Sequence, residues 1–409
     1  MTGTGFRIRV EGLSAFPVGT GKADKPADQE RANLLPHGET GVNNKMTSRQ
    51  ERLVLEEGTE AAERPSVGEI SGTPSSRVKR YSLMARLSPD QRYRVRQSAL
   101  DFTALFIVIQ VASVIASVIW PNSFAYINSA NLLTGFEAIP LLGITAIGVG
   151  VLMIAGEFDL SVGANFIFSS IVMAMLANQG LPVFVAALIA LAIGCGIGLL
   201  NGLITLWFRI PSLITTLGTT GIWTAATLYV HGAASETFTT SGAFATLTSG
   251  SVGVLPAELF WMIGLGVFCW AFLQRHRIGN HIFAVGGNAR AANSTGISVR
   301  RTKLIAFAFA GTLAAFSGVL AASRVSVITP GGETDLPLQV IGACVIGGTA
   351  LMGGSGTVLG MVLGAALLYW IEDVLLLLGA PGFYLDAFVG ALIIAAAALY
   401  TVAKQRRVS

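Results

Sequence analysis

Two short segments set carboxylates among apolar residues. Gly156-Glu157-Phe158-Asp159-Leu160-Ser161-Val162-Gly163 separates two hydrophobic runs, and Gly332-Glu333-Thr334-Asp335-Leu336 separates two later ones. Carboxylates in such surroundings are costly unless they face water, protein or the unpaired N–H groups of a helix start. Asp159 or Ser161 could therefore cap the helix that follows. Equally, Glu157, Asp159, Ser161, Glu333 and Asp335 could line a polar path, and one residue could do both. Catalytic chemistry has little to work with. Gly353-Gly354-Ser355-Gly356 matches the GxSG of intramembrane serine proteases, but such a serine needs a neighbouring base, and no histidine follows His281. Cys195, Cys269 and Cys344 all lie in apolar runs without a CxxC, and the four histidines have no partner at ligand spacing, so neither a metal site nor a catalytic site is expected. The chain carries no GxxxxGK[ST], so an ATP-binding P-loop of its own is not expected either.

Two further motifs are rich in small residues. In Ala284–Ile297, Gly286-Gly287 reads as a turn, Asn288 as a helix cap, and Ala289–Ala292 as a short helix stopped by Gly296. Arg290 and the arginines around this helix suit docking into a groove on another protein; the blander reading is a linker. In Gly347–Gly356, glycines Gly347, Gly348, Gly353, Gly354 and Gly356 allow close backbone approach and a non-helical break, as do Gly360 and Gly364 after them.

The elements that must position these residues are apolar helices. Charged residues make up 12% of the chain, against about 25% in an ordinary soluble domain. Sixteen of the 27 basic and twelve of the 23 acidic residues precede residue 101, so the net charge of +4 belongs entirely to that first part. The basic excess is a polar tail, not a patch for nucleic acid. Residues 1–97 form a polar cytoplasmic extension whose composition predicts disorder, with one charged helical stretch at Ser48–Arg64. Met1–Thr20 lacks the apolar core of a signal peptide, and Met46 and Met84 are alternative starts.

Residues 98–405 read as an all-α transmembrane domain of about ten helices. Crossing about 30 Å of hydrocarbon takes roughly 20 apolar residues. Such runs are Phe102–Trp120, Ala138–Ala155, Asn165–Leu176, Pro182–Phe208 and Ser212–Val230, then Leu259–Leu273, Leu304–Ala322, Leu338–Thr349, Val358–Leu378 and Tyr384–Ala403. The third and eighth are short and lie beside glycine-rich breaks. Arg92, Arg94 and Arg96 before the first run, and Lys404, Arg406 and Arg407 after the last, put both ends in the cytoplasm. Six basic residues and no acid between Gln274 and Lys303 put the short-helix motif there too, while only Arg324 is basic on the outer side. Gly194–Gly202 and Gly353–Gly364 offer close helix packing, within one chain or between two.

Taken in order, GEFDLSVGA, NGLITLWFRIPSLITTLGT, AVGGNARAANSTGI and VIGGTALMGGSGTVLGMVLGA resemble the ribose-type permease subunits of bacterial ATP-binding-cassette importers, from about Asn131 to the C-terminus. The resemblance implies a multi-pass inner-membrane subunit, not an enzyme, that passes a monosaccharide such as ribose, xylose or galactose. It implies as partners a cytosolic cassette ATPase, a periplasmic or surface-anchored solute-binding protein, a second permease copy and membrane lipid. The contact with the ATPase corresponds to Gly286, Gly287, Asn288, Arg290, Ala291, Ala292 and Gly296. No cofactor is implied. Two features depart from the family: Glu157-Phe158 stands where Gly-Ile or a similar pair is common, and the long N-terminal tail is unusual. Alternatives are a permease for branched-chain amino acids or nucleosides, and an ion-coupled secondary transporter.

One pattern is internal. Gly156-Glu157-Phe158-Asp159-Leu160 echoes Gly332-Glu333-Thr334-Asp335-Leu336 five runs later, each before a short apolar segment. An odd offset in an alternating topology predicts an inverted repeat, spans 2–5 against spans 7–10, with the two carboxylate segments at opposite mouths.

Overall fold

The computed structural model describes Ala104, residues 106–121 and residues 124–405; the polar extension of residues 1–97 and its Ser48–Arg64 stretch lie outside the described residues. Every apolar run falls on a helix. They are α1 (Phe106–Ile119), α2 (Ser129–Ile154), α3 (Val162–Asn178), α4 (Val183–Phe208) and α5 (Ser212–His231), then α7 (Ala257–Arg275), α10 (Val299–Val325), α11 (Leu336–Ile346), α12 (Val358–Leu377) and α13 (Gly382–Gln405). Three more helices lie among the described residues: α6 (Gly242–Thr248) between α5 and α7, and α8 (Arg277–Gly287) and α9 (Ala289–Ser294) between α7 and α10. By length and apolarity α2, α4, α7, α10 and α12 suffice to cross a membrane. α3 and α11 are shorter, and α5 is diluted by six threonines.

α2 and α10 form the centre and run antiparallel. Arg324, late in α10, reaches Glu137, early in α2, at 3.0 Å, and Ser317 of α10 donates to the Leu141 carbonyl of α2 at 2.7 Å. The packing around this pair has a regular form. α10 packs on α3 and α4, as α2 packs on α11 and α12; α3 packs on α4 and α5, as α11 packs on α12 and α13.

Glycines set the closest crossings. A Cβ on Gly198 would lie 2.2 Å from the Phe307 carbonyl oxygen, and one on Gly311 would lie 2.3 Å from that of Gly194. Asn165 of α3 donates to both the Gly194 and Gly311 carbonyls, at 3.3 and 3.1 Å, and so pins α4 against α10. Between α11 and α12, a Cβ on Gly360 would come within 2.0 Å of the Gly347 oxygen, and one on Gly364 within 2.0 Å of the Ala343 oxygen. Gly194, Gly198, Gly202, Gly360 and Gly364 thus pack within one chain, while Gly196 faces open space.

The core is apolar, with Ile144, Leu152 and Ile171 fully enclosed, and much of the surface is apolar too. Ser169, Asn201 and Thr216 are fully enclosed, while Trp207, Phe208, Ile214, Leu217 and Tyr229 stand exposed, as expected of helices solvated by hydrocarbon. Beyond helices, four two-residue strands among the described residues form two antiparallel ladders that the sequence did not suggest. In one, β2 (Ser251–Val252) pairs with β3 (Leu255–Pro256); in the other, β1 (Glu236–Thr237) pairs with β4 (Val327–Ile328), Glu236 opposite Ile328. Asn178 donates to Glu236 at 2.6 Å, His231 lies 3.3 Å from the same carboxylate, and the Ser235 and Thr329 hydroxyls meet at 3.1 Å. This clasp joins the end of α10 to the connector after α5.

Candidate functional site

Three of the four motif regions meet at one point, and the contact is made of glycine backbone. α2 stops at Ile154, and the chain turns through Gly156 at φ +82°. Against it lies the connector between α11 and α12, where Gly353 and Gly354 hold φ of +79° and +81°, a left-handed geometry costly for other residues. The end of α8 completes the junction. The Gly354 N–H donates to the Ile154 carbonyl at 2.8 Å. A Cβ on Gly286 would fall 1.7 Å from that same oxygen; one on Gly353 would be 2.8 Å from the Gly156 Cα, and one on Gly354 would be 2.6 Å from the Gly287 Cα. Gly356 packs against the Ile154 side chain, Gly347 sits in the α11–α12 crossing, and Gly348 turns the chain at φ +82° with open space around it.

The expected turn at Gly286-Gly287 is displaced by one residue. Both glycines complete α8, and the break is Asn288, whose backbone is extended (φ −160°, ψ 98°) and whose side chain caps α9 by accepting from the Ala291 N–H at 3.0 Å. Helix geometry carries α8 into the junction because its glycines need no room there. α9 ends at Ser294, and Gly296 follows at φ +84°. Arg290 and Ala291 are exposed, whereas Ala292 is buried at 5% exposure and points inward. The face that α9 leaves exposed therefore carries Arg290 and Ala291 and not Ala292.

The segment after Gly156 is held from three sides. Glu157 forms an ion pair with Lys303 at the start of α10, which gives this carboxylate a definite role. The Phe158 and Leu160 N–H groups donate to the hydroxyls of Ser212 and Thr216 on α5, both at 3.0 Å. Asp159 is 1% exposed and accepts from the Ser161 N–H at 2.8 Å and the Ser161 hydroxyl at 2.7 Å, while Asn201 of α4 donates to that hydroxyl at 2.7 Å. Burial raises the Asp159 pKa, opposed by these hydrogen bonds from Ser161 and Asn201.

Neither carboxylate caps its helix in the expected way. Ser161 holds the N-cap position of α3 but has near-helical backbone angles, and its hydroxyl is turned to Asp159 instead. Asp335 holds the N-cap position of α11 and makes no side-chain capping bond. The two carboxylate segments are also not at separate mouths throughout. Gly156 lies at the α8–α9 end and Glu333 follows the β1–β4 clasp, yet the segments converge: a Cβ on Gly163 would be 2.4 Å from the Glu333 carbonyl oxygen. Burial and the adjacent Asp335 raise the Glu333 pKa.

Sequence reasoning passed over Lys303, Asn165, Asn201, Ser212 and Thr216. A signal was available for the last two: Ser212, Thr216, Thr220 and Thr224 recur every fourth residue, which puts them on one helix face.

The family profile described as "Branched-chain amino acid transport system / permease component" matches residues 131–397. A xylose/arabinose import permease protein from Sulfolobus acidocaldarius is 34% identical over 310 residues, covering 73% of this chain and 85% of the relative. An autoinducer 2 import system permease protein from Yersinia enterocolitica is 32% identical over 303 residues, covering 73% and 82%. A protein of the same name from an Enterobacter species is 33% identical over 266 residues, covering 65% and 77%. No solved structure matches. With the profile match spanning more than half of the chain and every glycine of the junction inside it, this multi-pass protein belongs to the branched-chain amino acid transport system permease family, whose members are membrane components of transport systems rather than enzymes.

Proposed function

We propose that this chain is the membrane-spanning subunit of an ATP-driven importer that passes a monosaccharide handed over by a solute-binding protein. The carrying observation is the glycine junction. It fastens the α8–α9 hairpin to both helix breaks, Gly156–Ser161 and Gly347–Thr357, so a push on that hairpin reaches both. The names of the relatives supply the substrate class: xylose, arabinose and autoinducer 2 are small solutes, and two of them are pentoses.

In this reading the α8–α9 end faces the cytoplasm, ten helices cross the inner membrane, and both termini are inside, in keeping with the Lys/Arg distribution. The matched packing of α2–α5 and α10–α13 supports reading them as an inverted repeat. Residues 98–405 are the permease domain. A cassette ATPase docks on Arg290 and Ala291, a second copy of the chain completes the pore, and the binding protein meets the clasp end. Glu157, Asp159 and Ser161 hold the first break in shape, while Glu333 and Asp335 border the path.

The test is ATP-dependent uptake in proteoliposomes holding this chain, its cassette ATPase and its binding protein. Accumulation of labelled xylose, arabinose or ribose is expected. Uptake of leucine or a nucleoside in place of sugars, or uptake driven by an ion gradient without ATP, would overturn the reading.

A further inference from the structure

The clasp end holds a buried acceptor and a buried donor that stand near each other and are not joined. Glu258, in the first turn of α7, is 1% exposed, yet neither of its carboxylate oxygens bonds to another of the described residues. α7 lies against both central helices. A Cβ on Gly143 of α2 would be 2.7 Å from the Met262 sulfur, and the Trp261 ring meets Phe316 of α10 edge-on at 5.1 Å. This packing sets Glu258 within electrostatic reach of Arg324 on α10 and Glu137 on α2. Arg324 is the only lysine or arginine in residues 304–403, so two carboxylates face a single cation. Its Nη1 lies 3.0 Å from Glu137, while its Nε is buried without a partner among the described residues.

A guanidinium carries five N–H donors in a fixed fork and can turn from one carboxylate to another by a swing of its side chain. A buried carboxylate left unpaired is costly. The contact therefore satisfies one acid and strands the other, as one state of a two-state contact would. Arg324 is also placed to move. Two residues on, Ser326 ends α10 at φ +61°, a left-handed geometry strained for a residue with a Cβ. The Ser326 carbonyl accepts from the Phe238 N–H, next to β1, at 3.0 Å, so a displacement of the clasp acts directly on the end of α10.

We propose that Arg324 is an ion-pair switch at the clasp end, held by Glu137 in the state described here and by Glu258 in the other state of the transport cycle. The proposal rests on the importer reading, which supplies the cycle, and adds to it the contact that distinguishes the two states. The experiment uses the complete importer with spin labels on Ile127→Cys, just before α2, and Val327→Cys, just beyond Arg324, both exposed positions. The chain with its three native cysteines alone sets the background. Pulsed electron paramagnetic resonance distances are recorded without nucleotide and with ATP and vanadate.

Two distances are expected, in proportions that change between the conditions. Glutamine keeps the size of glutamate and removes its charge, so each substitution removes one of the rival partners. Glu258→Gln should enrich the Glu137-bound state severalfold, and Glu137→Gln should enrich the other state severalfold. A merely structural role would lower the yield of folded chain without moving the populations in opposite directions. Shifts in the same direction, no shift with Glu258→Gln, or one distance under every condition would overturn the switch. Pentose uptake by the wild-type importer is measured alongside. Uptake without opposed shifts overturns the switch alone, and opposed shifts without uptake of any pentose overturn the sugar-importer reading alone.

Discussion

At the scale of single residues, Glu157 and Lys303 form the ion pair with most at stake. Their side chains are 11% and 16% exposed, so removing one partner strands a charge in poorly hydrated surroundings. Lys303→Met should cost about 1–3 kcal/mol, less than the roughly 3–5 kcal/mol of a fully buried pair, and show as a lowered unfolding temperature in detergent. Adding Glu157→Gln to it should recover most of that loss. The sequence made Glu157 conspicuous as a departure from its family but could not name the partner. Lys303 lies 146 residues away and counted only as one of six basic residues holding a segment inside. Asp159 and Asp335 look equivalent in sequence, and the structure separates them. Asp159 holds Ser161 within a buried network, whereas Asp335 is exposed and makes no capping bond. Asp159→Ala should therefore strongly impair uptake and folding yield, and Asp335→Ala should do so only mildly. Equal effects in a side-by-side uptake assay would contradict this assignment.

Among elements, the α8–α9 hairpin was the most legible and the most instructive to correct. Asn288 as a cap, a short helix and Gly296 as its stop all follow from side-chain chemistry that acts within a few residues. The fate of Gly286-Gly287 does not. Their place in α8 depends on Gly353 and Gly354, which sequence spacing cannot bring near. Gly286→Ala should abolish uptake and reduce recovery of folded protein, because its Cβ would overlap a carbonyl oxygen. Gly218→Ala on α5, with open space around it and an ordinary backbone, should preserve both. Fluorescence-detected size exclusion separates the two outcomes. On α9, Arg290→Glu and Ala291→Glu should leave the chain folded yet cut sugar-stimulated ATP hydrolysis by about tenfold, the worth of one lost interface anchor. Ala292→Glu should fail earlier, at folding, because that residue is buried.

For the whole molecule, the ten apolar runs and their order were readable because hydrocarbon imposes a strong and local demand on composition. The packing of α2 against α10 was not readable, since it joins residues such as Glu137 and Arg324 across 187 positions. Nor did composition reveal which glycines are consumed within one chain: Gly194, Gly198 and Gly202 are, and Gly196 is not. Native mass spectrometry of the assembled importer should give two permease chains with two ATPase copies, and a one-to-one complex would contradict the pore model. A further consequence concerns the clasp between β1 and β4. Its register places Ser235 opposite Thr329, one position beyond the Glu236–Ile328 pair, with their hydroxyls 3.1 Å apart. Facing positions on antiparallel strands have the Cα spacing that a disulfide requires. Ser235→Cys with Thr329→Cys would thus turn two hydroxyls into a redox-operated bolt. Oxidation would hold the connectors from the two halves of the chain together, and a reducing agent would release them. If the clasp end must part for cargo to enter, uptake becomes something the experimenter can switch on with dithiothreitol.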